Sequence, residues 1–415
     1  MKMESTPKGM RVQIGIYGRR NVGKSSVLNA LTRQQVSIVS DVAGTTTDPV
    51  EKAMEMLPIG PVLFIDTAGI DDIGALGEKR VTKTRKIIER TDIALLVTSA
   101  AALPLDSFEQ SLLDEFRRKK VPVIVVVNRC DEHLPAQKEI ESLQNAGLAV
   151  AQTAAVTGEG MDALRVALIN AVPAEMLEPH TIAGDLIPKG EMAMLVVPID
   201  LEAPKGRLIL PQVQTVRDIL DHDSYCMVAK ESELRAALGR LNRPPALVVT
   251  DSQAFRQVSE IVPPEIPLTS FSILFARLKG DLPTFVEGAM AIDRLKPGDR
   301  VLVAEACTHH PIGEDIGRVK IPQWLREYVG GDLHFDTVQG ADFPEDISRY
   351  QLIIHCGSCT FNRRQLLTRI VQCRELNIPM TNYGLAIAFS LGIFARALEP
   401  FPQAREIYLR GPKKA

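Results

Sequence analysis

Apolar runs alternate with helical patterns along the first 172 residues of the chain. The runs read RVQIGIYG, GPVLFIDTAG, DIALLVTSA, VPVIVVVNRCD and LAVAQTAAV. Nearly continuous apolar strands that alternate with helices are typical of a doubly wound, mainly parallel sheet covered on both faces. The pattern therefore predicts an α/β domain over residues 1–172, and a stretch rich in proline and glycine, 173–191, marks its end.

Two shorter segments with the same alternation follow. Residues 191–262 read as strand, helix, strand, helix, strand, which predicts a small α/β domain with a thin core. We expect it to be a dimerisation domain, while the alternative of a connecting domain without an interface stays open.

Residues 266–415 contain the apolar runs VLVAEAC, YQLIIHC and NIPMTNYG. The apolar stretch 383–398 is too short for a membrane span and predicts a buried helix. The expected fold is thus a doubly wound sheet followed by two smaller α/β domains with mainly parallel sheets.

The composition is that of a globular protein, with 45% hydrophobic and 24% charged residues among 415 and a net charge of −3. This charge gives no general attraction to nucleic acid or to anionic membranes, so we expect neither as a partner. No apolar segment of signal-peptide length precedes the first strand, and six cysteines without a secretory signal favour reduced thiols. A cytoplasmic location is therefore expected.

The segment GIYGRRNVGKSS follows the first strand and begins a helical pattern. It has the spacing G-x-x-x-x-G-K-S, with Gly18, Gly23, Lys24 and Ser25 at the defined positions. Glycines let backbone N–H groups surround phosphates, and the helix N-terminus adds a favourable potential. Lys24 is expected to contact the β- and γ-phosphates and Ser25 to bind Mg²⁺. The motif predicts a nucleotide-binding site.

Later motifs indicate that the nucleotide is GTP. DTAG ends an apolar run with Asp66, which can hold the Mg²⁺ shell, and Gly69, whose N–H can sense the γ-phosphate. Asn128 and Asp131 have the spacing of a guanine-reading motif, in which an aspartate accepts two N–H groups of the base. AAVTGEG, which includes Ala155, resembles the last guanine-contacting loop, and GTTTD supplies a switch threonine. The order and spacing of these five elements predict a GTPase domain.

The segments GRRNVGKSS, DVAGTTTDPV and DTAGIDDIG resemble the Era/TrmE-like translation-factor-related GTPases. The resemblance implies that Asn21 supports a potassium ion, that Thr46 binds Mg²⁺ and that K⁺ stimulates hydrolysis. Ile70 stands where Ras-like proteins have a catalytic glutamine, and Glu78 stands where TrmE-type enzymes keep a water-orienting glutamate. Arg129 replaces the usual lysine of the guanine motif, and its stem can still pack on the base.

The predicted nucleotide site combines these motifs. The residues expected to take part in hydrolysis are Lys24, Asn21, Thr46, Gly69 and Glu78. The residues expected to contact GTP or its metal ions are Gly18, Asn21, Val22, Gly23, Lys24, Ser25, Ser26, Thr46, Asp66, Gly69, Asn128, Asp131 and Ala155. Of these, Ser25, Thr46 and Asp66 are expected at Mg²⁺, and Asn21 at K⁺.

Cysteine and histidine follow two apolar runs of the last segment, as Cys307-x-His309 and His355-Cys356-x-x-Cys359. Both groups follow strands predicted to run parallel, so the strand ends should lie at one edge of a sheet and the five side chains can converge. Three thiols suit zinc in a Cys3His site, and they also suit a 4Fe–4S cluster with one differently ligated iron. The residues alone leave this choice open.

Downstream of an Era/TrmE-like GTPase, this cysteine motif resembles the FeFe-hydrogenase maturation GTPases of the HydF family, over the whole chain. The resemblance implies a 4Fe–4S cluster on Cys307, Cys356 and Cys359, so 266–415 is expected to be its domain. The two histidines of the motif, or a nearby carboxylate such as Asp315, are candidates for the fourth ligand. It also implies a homodimer that receives a transient dinuclear iron precursor from two radical-SAM maturases and delivers it to apo FeFe-hydrogenase.

Two other functions stay open from the sequence. One is an RNA-modification or ribosome-assembly GTPase with a structural zinc site, against which the absence of a basic run and of an RNA-binding motif counts. The other is a regulatory GTPase that senses iron or redox state and transfers nothing.

Overall fold

The computed structural model describes residues 6–32, 49–67, 84–173, 181–199, 208–306, 315–344 and 346–411. The chain forms two compact units, Met1–Pro179 and His180–Ala415. Within the described residues, no helix combines the length and the apolar character needed to cross a membrane.

Among its described residues, the first unit has six strands and four longer helices, and residues 84–88 are also helical. The strands are β1 Val12–Tyr17, β2 Val50–Met56, β3 Gly60–Asp66, β4 Ile93–Ser99, β5 Val123–Asn128 and β6 Ala149–Gln152. The helices are α1 Lys24–Thr32, α2 Ser107–Arg118, α3 Gln137–Asn145 and α4 Met161–Ala171, with short 3-10 turns at Lys8–Met10 and Ala100–Ala102.

These strands form one sheet in the order β2-β3-β1-β4-β5-β6. All neighbours run parallel except β2, which is antiparallel to β3. Successive side chains of a strand point to opposite faces, and each face here has its own hydrophobic cluster. Val126 of β5 packs with α1 and α4, whereas its neighbours Val125 and Val127 pack with α2 and α3. The predicted doubly wound sheet is therefore confirmed.

In the described part of the second unit there are two four-stranded sheets, and all strand pairs within them are parallel. The strands are β7 Met192–Val196, β8 Tyr225–Ala229, β9 Leu247–Thr250, β10 Leu268–Ser270, β11 Arg300–Glu305, β12 His334–Gln339, β13 Leu352–His355 and β14 Met380–Asn382. Their orders are β10-β9-β7-β8 and β12-β11-β13-β14. One hydrophobic cluster includes residues of both sheets, and the division of this unit at 262–266 remains a prediction.

Ten helices of the second unit lie within the described residues. They are α5 Leu210–Asp221, α6 Leu234–Leu238, α7 Phe255–Ile261, α8 Phe271–Lys279, α9 Leu282–Met290, α10 Ile321–Val329, α11 Arg363–Glu375, α12 Tyr383–Ser390, α13 Phe394–Ala397 and α14 Pro402–Arg410. Short turns of helix lie at Gly184–Leu186, Glu231–Glu233, Ser252–Ala254, Ala291–Arg294 and Ile316–Lys320. The apolar stretch at 383–398 does form a buried helix, because every residue from Gly384 to Phe389 of α12 is buried.

Candidate nucleotide and metal sites

The loop between β1 and α1, the P-loop, has a backbone that requires glycine at two positions. Gly18 and Gly23 have φ values of 140° and 93°, which side chains other than hydrogen disfavour. A Cβ at Gly18 would lie 2.1 Å from the carbonyl oxygen of Val97, and one at Gly23 would lie 2.2 Å from Nδ2 of Asn128. The loop is therefore held tightly against β4 and β5.

Lys24 and Ser25 begin α1 at the end of this loop. The buried Lys24 ammonium donates hydrogen bonds to the carbonyl oxygens of Gly18 and Arg19, at 3.0 and 2.6 Å. The Ser25 hydroxyl donates to Oδ2 of Asp66 at 2.6 Å. The structure thus brings together the lysine predicted at the phosphates and the serine and aspartate predicted at Mg²⁺.

Asn128, at the end of β5, connects three segments of the nucleotide site. Its Nδ2 donates to the carbonyl oxygen of Val22 at 3.0 Å. Its Oδ1 accepts from the Thr153 hydroxyl at 3.2 Å and from the Ala155 N–H at 3.1 Å. The side chain is 2% exposed, so its direct role is to fix the P-loop against the loop that contains Ala155.

The remaining predicted nucleotide residues divide into two groups. Asn21 and Asp131 are exposed, and Ser26 is half-buried at the start of α1. Asn21 adopts a left-handed conformation with φ of 59°. Thr46, Gly69 and Glu78 lie outside the described residues.

The second part of the cysteine motif, His355-Cys356-x-x-Cys359, begins at the last residue of β13. β11 and β13 are paired in parallel with Ala304 opposite His355, so the prediction that both strand ends share one edge is confirmed. The Ala306 N–H donates to the sulfur of Cys356 at 3.0 Å. Cys307 follows Ala306 directly in the sequence, but it lies outside the described residues, as does His309.

His355 is fully buried, and both of its ring nitrogens lie within hydrogen-bonding distance of protein groups. Nδ1 lies 3.0 Å from the carbonyl oxygen of Cys356 and 3.1 Å from Oγ of Ser358, and Nε2 lies 2.8 Å from Nη1 of Arg369. Burial, reinforced by the Arg369 charge, lowers the pKa of His355 to about 3, so the ring is neutral. Since Arg369 can only donate, Nε2 accepts its hydrogen bond and Nδ1 carries the proton. This arrangement favours a role in shaping the loop over one as the fourth metal ligand.

The two described cysteines of the motif fit a thiolate-ligated metal. They are half-buried and three residues apart on one loop, and a backbone N–H already donates to one sulfur, as is common at cluster thiolates. Burial raises the pKa of the Cys359 thiol, while the positive charge of Lys279 acts in the opposite direction.

No group of three or more His, Cys, Asp and Glu side chains gathers as a metal site in the part of the chain that the structure describes. The buried Asp315, proposed as an alternative ligand, accepts a hydrogen bond from the Arg318 N–H at 2.7 Å.

Comparison with protein families gives three matches in order along the chain. Residues 13–129 match a model described as a 50S ribosome-binding GTPase. Residues 182–280 and 283–400 match the dimerization and the tetramerization domain of hydrogen maturase F. The chain belongs to the hydrogen maturase F family. Its third segment, predicted to be the cluster domain, thus corresponds to a domain named for tetramerization, and both matches support self-association.

Individual relatives match the GTPase part of this hydrogen maturase F family member. GTPase Der of Wolinella succinogenes is 43% identical over 146 residues, which cover 34% of this chain and 30% of the relative. GTPase Der of Campylobacter concisus is 43% identical over 125 residues, covering 29% and 26%. The chain therefore spans less than a third of the length of these curated relatives.

The matches among solved structures include Era and EngB. Era in complex with MgGDPNP and nucleotides 1506–1542 of 16S ribosomal RNA is 22% identical, with a TM-score of 0.36, and the match covers 57% of this chain and 90% of that one. A probable GTP-binding protein, EngB, is 21% identical, with a TM-score of 0.33 and coverage of 39% and 98%.

Sequence reasoning missed an ionic contact of the P-loop in this family member. Arg19 forms an ion pair with Asp106, which caps the N-terminus of α2. Asp106 and Glu109 form a capping box, with the Glu109 N–H donating to Oδ1 of Asp106 at 2.9 Å. The spacing D-x-x-E before an apolar helix was a readable signal for this cap.

A buried carboxylate beside the cysteine motif was also missed. Glu305, at the end of β11, is 2% exposed. It accepts hydrogen bonds from Arg318 at 3.2 Å, from Gln339 at 3.0 Å and from the Tyr383 hydroxyl at 3.4 Å. The signal was a single acidic residue inside the apolar run VLVAEAC, since a charged group in such a position needs polar partners.

Proposed function

We propose that the chain is a GTP-hydrolysing scaffold of FeFe-hydrogenase maturation. In this role it binds a 4Fe–4S cluster, receives the dinuclear iron precursor of the H-cluster from two radical-SAM maturases and delivers it to the apo-hydrogenase. The observation that carries the proposal is the contact of the Ala306 N–H with the Cys356 sulfur in a chain of the hydrogen maturase F family, in which Cys307 is the next residue of the sequence after Ala306.

The nucleotide chemistry follows from the loop between β1 and α1. The Lys24 ammonium, which donates to two loop carbonyls, would contact the β- and γ-phosphates of GTP. Ser25 and Asp66, which are already hydrogen-bonded, would hold Mg²⁺ together with Thr46. GTP binding would order the switch segments and hydrolysis would release them. Hydrolysis would therefore control the binding or release of a partner protein.

Potassium is the proposed activator of hydrolysis, with Asn21 as its protein ligand. Asn21 is exposed in the P-loop, between Arg20 and the buried Val22. Exchange of K⁺ for Na⁺ should slow phosphate release by the wild type, and Asn21→Ala should remove the difference between the two ions. Equal rates of the wild type in K⁺ and Na⁺ would contradict this part of the proposal.

The cluster is proposed to bind Cys307, Cys356 and Cys359. A cluster with three cysteine ligands supplies one iron whose fourth ligand can exchange. His309 remains a candidate for that ligand, because both ring nitrogens of His355 already contact protein groups. The cysteine loop would hold the cluster at the sheet edge, where the precursor can arrive and leave.

Self-association is proposed to use β8, an edge strand of its sheet. Its outer edge has no strand partner within the described residues, and it exposes Tyr225 and Val228 at 54% and 46%. Unpaired strand edges with exposed apolar side chains readily pair with another chain. A second copy of the chain is therefore the expected partner, giving a homodimer.

Two measurements test the main proposal. Anaerobic iron and sulfide analysis with EPR of the reduced protein should find a reducible 4Fe–4S cluster, whereas stoichiometric zinc without a reducible cluster would favour a GTPase with a structural zinc site. Protein loaded in the presence of both maturases should then activate apo-hydrogenase. Cluster-containing protein that produces no hydrogen evolution after mixing would leave a sensor of iron or redox state as the better function.

A further inference from the structure

Lys279 is a buried lysine next to the cysteine loop. It is the last residue of α8, and its side chain is 2% exposed. Its ammonium donates a hydrogen bond to the carbonyl oxygen of Phe361 at 3.0 Å, two residues beyond Cys359. A cation from a segment 82 positions away in sequence is thus placed beside the loop proposed to hold the cluster.

The end of α8 is fixed in this position by the helix that follows the cysteine loop. Arg363, at the start of α11, donates from Nη1 to the carbonyl oxygens of Leu278 and Gly280, at 2.8 and 3.1 Å. These two residues flank Lys279, so the backbone that bears the ammonium is tied to the chain that bears the cysteines. The position of the charge relative to the loop is therefore part of the fold.

A lysine at a helix C-terminus interacts favourably with the helix dipole, but an exposed side chain is sufficient for that. Burial of the ammonium is unfavourable unless it gains hydrogen bonds and an opposite charge nearby. The Phe361 carbonyl supplies a hydrogen bond, and Cys359 supplies a negative charge when it is a thiolate.

We infer that Lys279 supplies a positive charge to the anionic metal centre on Cys356 and Cys359 and raises its reduction potential. This inference rests on the proposed cluster site. Reduction adds a negative charge to the centre, and a fixed cation in a buried, weakly screened position stabilises the reduced form more than the oxidised form.

The test compares the reconstituted full-length wild type with Lys279→Gln and Lys279→Met, which remove the charge, and with Lys279→Arg, which keeps it. Glutamine also keeps a donor for the Phe361 carbonyl. The matched control is Lys296→Met, because Lys296 lies in the same unit and is exposed, so water screens its charge. The readout is the midpoint potential from a redox titration followed by EPR, with iron content and thermal unfolding measured for each protein.

The neutral variants should titrate at a more negative potential than the wild type, while Lys279→Arg and Lys296→Met stay near it. Loss of iron from both folded neutral variants, with iron retained by Lys279→Arg, also supports the inference. A wild-type potential in Lys279→Gln would overturn it and leave the cluster proposal intact. Equal loss of iron in Lys279→Gln and Lys279→Arg would also overturn it, because charge would then not be the relevant property. A wild type without any reducible cluster would instead refute the proposed function.

Discussion

The side-chain amide of Asn128 donates a hydrogen bond to the backbone carbonyl of Val22, at 3.0 Å. The two residues are 106 positions apart, so this bond joins the end of β5 to the middle of the P-loop. The same side chain accepts from Thr153 and from Ala155, and Ala155 lies in the loop predicted to contact guanine. One buried amide therefore links the loops predicted to bind the phosphates and the base.

Asn128→Ala should weaken nucleotide binding. The substitution removes the partner of the Val22 carbonyl and the acceptor of two donors, and each lost buried hydrogen bond costs about 0.5–1.5 kcal/mol. We expect the affinity for GDP to fall by roughly 10- to 100-fold, which corresponds to about 1.4–2.8 kcal/mol. The measurement is a titration with a fluorescent GDP analogue. Thr153→Val, which removes only one of the three bonds, is the matched control and should show a smaller loss; unchanged affinity in Asn128→Ala would exclude this role.

The nucleotide and cysteine sites lie in separate compact units, so their functions should be separable by mutation. Lys24→Ala and Ser25→Ala should abolish phosphate release from GTP because they remove the phosphate and Mg²⁺ contacts, while iron content stays near that of the wild type. Cys356→Ser should lower iron content and leave GTP hydrolysis near normal. Loss of both properties in any one folded variant would show that the two units are coupled for activity.

The pattern of apolar positions predicted the central strands and the edge strands β6, β8 and β14, but it missed the edge strands β2, β10 and β12. The runs that became β1, β4 and β5 are continuous because both faces of those strands are buried. β2 and β12 are edge strands with mixed exposure along their lengths, so neither produces an apolar run. β10 has only three residues and produces no apolar run, whereas β14, of the same length, lies within the predicted run NIPMTNYG.

At the candidate sites, contacts between residues that are distant in sequence could not be predicted from the sequence. The P-loop and cysteine spacings are local, and they could be read directly from the chain. The orientation of His355 depends on Arg369, whose guanidinium also bonds to the carbonyl of Gly340 at 2.6 Å and lies over the Phe361 ring. No local spacing predicts that this imidazole turns into the protein, and none predicts that Lys279 reaches the same loop.

Glu109→Gln should stabilise α2 at neutral pH. Burial raises the pKa of Glu109 above its ordinary value of 4.5 and outweighs the opposing effects of Thr98 and Arg19. The folded state therefore holds the proton more strongly than the unfolded state, so this group's contribution to stability is full below pH 4.5 and is lost as pH rises through the raised pKa. Glutamine at this position keeps the capping box and removes the titration.

Amide hydrogen exchange of Ser107–Arg118 in the full chain measures this effect. Exchange in Glu109→Gln should be slower than in the wild type at about pH 7, and the difference should shrink toward about pH 4. Glu141→Gln, at an exposed position of α3, is the matched control and should leave exchange unchanged at both pH values. A difference that grows as pH falls would mean that the sign assigned to the pKa shift is wrong.

Val228→Arg should convert the proposed dimer into a monomer. Val228 is 46% exposed on the edge strand β8, and an arginine there would place a charge where a second copy is expected to pack. Charged side chains on sheet edges oppose pairing with another chain. Size-exclusion chromatography with light scattering on the full-length protein gives the mass directly. Val166→Arg, at a position 56% exposed on α4 of the GTPase unit, is the control and should leave the mass unchanged. A Val228→Arg protein that keeps the wild-type mass would place the interface on another surface.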